Sequence, residues 1–102
     1  MNSIHRVIKH KFKEREVLET LSEYIDDTYS QHYGEGKIQA TEFIVDSGMG
    51  KGFCLGNIIK YAKRFGKKDG LNSIDLLKIM HYAIILYGSL DENTKSESTR
   101  ET

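Results

Sequence analysis

With 102 residues, the chain has room for one small domain and a single core. Hydrophobic residues make up 38% of it and charged residues 29%, too apolar a mixture for a disordered chain and too polar for a membrane protein. Fifteen Lys and Arg balance fifteen Asp and Glu, so attraction for an anionic partner has to come from local clustering.

No stretch approaches the roughly 18 apolar residues that suggest a membrane span. The start, MNSIHRVIKHKFKER, lacks the uninterrupted apolar run of a signal peptide. Both features predict no membrane partner and a cytoplasmic location. One cysteine, Cys54, excludes an internal disulfide and leaves a structural zinc site without its ligand spacing. Proline is absent and the long patterned segments repeat with a helical period, which predicts an all-α fold.

Residues 4–12 carry apolar positions among cationic and histidine ones, fitting either a helical turn or two or an edge strand. Residues 13–30 predict a surface helix, with Val17, Leu18, Leu21, Tyr24, Ile25 and Thr28 on one stripe and acids on the other side. SQHYGEGK reads as a loop carrying His32 and Tyr33, with Gly34 and Gly36 free to reverse the chain. Residues 39–47 predict a short helix with Ala40, Phe43 and Ile44 inward and Gly48 as a left-handed cap.

The GMGKG glycines turn the chain into a helix over 53–68. DGLN makes the next turn, and Ser73 caps a helix over about 74–88. These two helices form an antiparallel hairpin packed on the N-terminal helix, giving a single helical domain over 1–90. Residues 91–102 contain nothing apolar and read as a disordered tail.

Helix 53–68 places Asn57, Lys60, Arg64, Lys67 and Lys68 on one face and Leu55, Ile58, Ile59, Ala62 and Phe65 opposite, with Tyr61 on the border. A polar face is commonly just solvated. Here no acidic residue occurs between Gly48 and Lys68, so the usual Glu to Lys pairs are missing and an anionic ligand or partner becomes the sharper reading. Arg64 can grip a phosphate with two parallel hydrogen bonds, while the lysines act as mobile point charges.

On the last helix Asp75, Lys78 and Tyr82 share a face. Asp75 reads equally as half of a core salt bridge to the preceding helix and as part of a ligand site. A third reading pairs the basic face with the acids of helix 13–30. The histidines have no metal-ligand spacing, so no metal site is expected. Cys54, between Phe53 and Leu55, reads as a buried thiol. GMGKG fails as a Walker loop, because Gly52 follows Gly50-Lys51 where Ser or Thr is needed and Val45 stands in place of the first glycine.

The segments HYGEGKIQATEFIVDSG, GFCLGNIIKYAKRFGKK and DLLKIMHYAI together resemble a small tailed-phage protein family of unknown function that also carries the name nucleotide kinase. The resemblance covers about residues 31–86. It implies a helical protein that forms homo-oligomers in the infected host cell, with relatives that phosphorylate deoxynucleoside monophosphates without a Walker motif. Together with the residue chemistry it leads to a nucleotide-binding reading, with His32, Tyr33 and Asn57 at base or sugar, Lys60, Arg64, Lys67 and Lys68 at phosphate, Tyr61, Lys78 and Tyr82 completing the ligand set, and the site at a subunit interface.

Glu42 and Asp75 are the candidate catalytic carboxylates. Gln39 departs from the family pattern, standing where relatives often carry an acid, whereas Glu42 keeps the next acidic position. No cofactor is implied beyond Mg²⁺ arriving with a nucleotide if the chain is an enzyme. The alternative is an RNA-binding or host-interaction protein using the same face, for example one that modulates transfer RNA or counteracts a host defence.

Overall fold

The computed structural model describes residues 8–32 and 36–91, and these form four helices with no strand among the described residues. Helix α1 spans Glu14–His32, α2 Lys37–Ile44, α3 Gly50–Arg64 and α4 Ser73–Ser89. A wide π-helical turn, Val45–Met49, joins α2 to α3. The all-α hairpin architecture is as expected. Residues 1–7, 33–35 and 92–102 lie outside the description, and with them His5, Tyr33, most of the N-terminal segment and the expected tail.

Helix α1 opens with Glu14 and Glu16 in its first turn, where a carboxylate faces the positive end of the helix dipole. Its C-terminal part is the part that packs. Leu21 is buried and Tyr24, Ile25 and Thr28 are half-buried, whereas Val17 and Leu18, expected on the same inner stripe, are exposed. Helix α1 meets α4 and, more thinly, α2.

Helix α2 starts earlier and stops earlier than 39–47. Its half-buried positions are Ile38, Thr41 and Ile44, while Phe43, expected inward, is 75% exposed. The helix gives way to the wide turn, in which Ser47 Oγ bonds to the Ile44 carbonyl at 2.8 Å and Gly48 takes φ +91°. That left-handed residue is the expected reversal. The following glycine, Gly50, already belongs to α3, so α3 starts three residues before the expected boundary.

Helix α3 also ends sooner than expected. Phe65 is extended and Gly66 takes φ +85°, its N–H bonding to the Gly70 carbonyl at 2.9 Å. Lys67 and Lys68 therefore sit on the turn that follows, where their amides bond back to the Arg64 carbonyl. Helix α4 is capped by Asn72 and not by Ser73: the Asn72 side chain accepts from the Ile74 amide at 3.0 Å, which places Ser73 inside the first turn. Asn72→Ala is expected to destabilise the protein by about 1 kcal/mol, read as a lower denaturation midpoint at unchanged slope.

The tight part of the molecule is the α3–α4 hairpin. Its inner face runs through Gly50, Phe53, Cys54, Asn57 and Tyr61 on α3 and through Asp75, Lys78 and Tyr82 on α4. This corrects the expected apolar face of α3, Leu55, Ile58, Ile59, Ala62 and Phe65, of which only Ile58 and Phe65 are half-buried. Leu55 and Ile59 are exposed, Ile59 by 66%.

Aromatic packing accounts for the turn of the helix. Tyr82 meets Phe53 edge to face at 5.7 Å and stacks on Tyr61 at 6.3 Å with 13° between the planes. Such ring pairs contribute about 0.5–1.5 kcal/mol each beyond area burial. Cys54 is fully buried as expected, and burial pushes its thiol pKa up, away from the reactive thiolate.

Candidate functional site

Tyr61 is the centre of the site. It is 7% exposed, yet three cations converge on its ring: Lys78 Nζ at 4.8 Å from the centroid, Lys60 Nζ at 4.9 Å and Arg64 Cζ at 5.7 Å. Lys60 and Arg64 reach it along α3 at i−1 and i+3, and Lys78 reaches it across the hairpin from α4. A ring face offers a cation about 0.5–2 kcal/mol, which compensates only part of the mutual repulsion of three positive charges. The cluster is therefore electropositive and suited to an anion.

The ionisation of Tyr61 reports the same field. Burial raises its pKa, but the charges of Lys78 and Lys60 outweigh burial and hold the phenol below its ordinary value. Tyr82, stacked on it, moves the other way, pushed up by burial and by its Tyr61 and Tyr24 neighbours.

Asp75 lies in the first turn of α4 at 4% exposure, and its Oδ2 has no hydrogen-bond partner among the described residues. The salt bridge to a base of α3, one of the two readings of Asp75, is not made at that oxygen. The adjacent cation on its own helix, Lys78, turns to Tyr61 instead. The acids of α1 likewise do not cover the basic face: among the described residues none of them pairs with Lys60 or Arg64, both of which lie over the Tyr61 ring.

Beside Tyr61 opens a cleft of about 450 Å³, a size typical of small-molecule sites. Tyr24, Thr28 and Tyr29 of α1 form one wall, and Tyr61 with Lys78, His81, Tyr82 and Ile85 form another. Lys37, Ile38, Thr41 and Glu42 of α2, with Val45 and Asp46 of the turn, close the third side. His81 meets Tyr24 edge to face at 6.1 Å, and burial holds its pKa below the usual value.

A histidine whose folded pKa lies below its unfolded one binds fewer protons when folded, so its contribution to stability is lost as pH falls. Stability is expected to fall as pH drops below about 6.5, with His81→Phe flattening that slope in denaturation curves.

Of the residues singled out from sequence, Glu42, Tyr61, Lys78 and Tyr82 line the cleft. Lys60, Arg64 and Lys68 join Lys63 in a shallower basic patch at the end of α3. Asn57 stands apart from both: it is half-buried and its Nδ2 donates to the Phe53 carbonyl at 2.9 Å. Asp75 and Lys67 line neither surface. The side chain of His32 and all of Tyr33 lie outside the described residues.

Tyr24, Tyr29, Lys37, Asp46, Lys63 and His81 belong to these surfaces without having been marked in the sequence. The stripe Lys78, His81, Tyr82, Ile85, at helical spacing along α4, is the signal that points to the last of them.

The sequence model of a family described as proteins of unknown function, DUF3310, matches residues 28–84. The chain belongs to this family. The DUF3310 match covers more than half of the chain, from the last turn of α1 well into α4. It takes in the α2 wall, Tyr61 with its three cations, and Tyr82, and leaves out Tyr24 and Ile85. No curated protein and no solved structure matches the chain. No helix among the described residues is long and apolar enough to cross a membrane, and no group of three potential metal ligands occurs among them.

Proposed function

We propose that this DUF3310 protein holds a nucleotide or a related phosphate ligand, with phosphate against Lys60, Arg64 and Lys78 and the base in the adjoining cleft. The observation that carries the reading is the convergence of three cations on buried Tyr61, which itself lines an aromatic cleft. Tyr24, Tyr29, Tyr82 and His81 supply flat rings against which a base can stack. Resemblance to phage proteins named nucleotide kinase adds transfer of a phosphoryl group to a deoxynucleoside monophosphate, with Mg²⁺ carried in on the substrate phosphates. Glu42 is then the better placed carboxylate, because it lines the cleft and Asp75 does not.

Leu55 and Ile59, the apolar positions of α3 that α4 leaves uncovered, support a homo-oligomer that buries them. A second reading draws on the open patch of Lys60, Lys63, Arg64 and Lys68, which suits the phosphate backbone of an RNA in a non-enzymatic host-interaction role.

Native mass spectrometry of an untreated preparation tests the first reading: the expected result is a multiple of the chain mass carrying nucleotide. Incubation with ATP, Mg²⁺ and each deoxynucleoside monophosphate, followed for the diphosphate, then separates transfer from holding. A bare monomer that takes up no added nucleotide overturns it.

A further inference from the structure

We infer that α2 is a hinged lid on the cleft, swinging between Gly36 and Gly48. This rests on the proposed ligand reading only for what closes the lid. Residues Lys37, Ile38, Thr41 and Glu42, continued by Val45 and Asp46, are one face of the α2 segment, and all six line the cleft. Helix α2 thus forms one whole side of the site.

It is also the least anchored helix. None of its residues is buried, its N-terminus has no side-chain cap, and Phe43 on its outer side is 75% exposed. Its packing on α1 is thin, against the tight α3–α4 hairpin that forms the opposite wall.

Both ends carry a left-handed glycine, Gly36 at φ +89° and Gly48 at φ +91°, and neither has an atom within 4 Å of where a Cβ would stand. Without a Cβ, both positions can change φ and ψ at little steric cost. The pivot is Val45, which opens the wide turn and packs on Gly50 of α3 so closely that a Cβ on Gly50 would come within 3.3 Å of Val45 Cγ2.

An eight-residue helix with little buried surface sits at the low end of local stability and opens without unfolding the rest. Closing over a bound nucleotide brings Ile38 against the base and shields Lys78 beside Tyr61 from water, where its pull on phosphate strengthens.

Hydrogen exchange of the full chain read by mass spectrometry, with and without saturating ATP, tests this. Without ligand, amides of residues 38–47 are expected to exchange at least about tenfold faster than those of 54–61 and 77–86. With ATP they are expected to slow by about tenfold, the α3 and α4 rates changing far less. Free-state exchange in 38–47 as slow as in α3 overturns the hinge. Fast exchange that ATP leaves untouched, while calorimetry shows ATP bound, overturns the closure. If ATP does not bind, the same comparison is made with the nucleotide that a calorimetric panel selects; if none of the panel binds, the nucleotide reading fails, and the free-state rates alone decide for or against the hinge.

Discussion

Tyr61→Ala is expected to lower the unfolding free energy by about 3–5 kcal/mol, the range for truncating a buried aromatic ring. The variant loses the stack on Tyr82 and the surface that Lys60, Arg64 and Lys78 share. Among the described residues only Leu21, Cys54 and Tyr61 are buried hydrophobic residues, so few other contacts can compensate. A small domain has about 5–15 kcal/mol in total, which leaves this variant close to unfolding at room temperature.

Tyr61→Phe separates ring from hydroxyl. It keeps the packing and is expected to cost no more than about 1.5 kcal/mol. Because the folded phenol ionises below its unfolded value of 10.0, it adds stability that is fully present above that value and lost as pH falls through the folded pKa. In Tyr61→Phe that alkaline gain disappears. Urea denaturation at neutral and alkaline pH reads both effects.

The double variant Lys60→Ala with Arg64→Ala is expected to lose about ten- to hundredfold in phosphate-ligand affinity per residue, from charge-assisted bonds of about 1.5–3 kcal/mol each. Its stability should stay the same or rise, since neither cation is paired with an acid of α1 among the described residues and both are repelled by Lys78. Calorimetry and denaturation on the same preparation give both numbers. The opposite pattern, lower stability with unchanged binding, would mean that the basic face serves the fold.

The helical hairpin was legible because proline is missing and the apolar positions keep a helical period. Which side of α3 turns inward was not. Periodicity ranks Leu55 and Ile59 as core, but it cannot weigh a stack of Phe53, Tyr82 and Tyr61 contributed by two helices, and that stack sets the rotation. The same blindness placed Tyr61 on a border when it is the residue on which the cations meet.

Helix ends failed for local reasons. Asn72 won the capping position from Ser73 because its side-chain oxygen reaches the Ile74 amide, and left-handed Gly66 stopped α3 before Lys67. The cleft could not be read from one helix at a time, since its walls come from all four.

The most direct measurement is calorimetric titration of the protein with a nucleotide panel and with a short RNA, each at two salt concentrations. A cation cluster backed by an aromatic cleft predicts tight binding of one or a few nucleotides, base-selective and only weakly salt-dependent, abolished in Lys60→Ala with Arg64→Ala. Binding of RNA alone, indifferent to the base and falling steeply with salt as counterions are released, would contradict it.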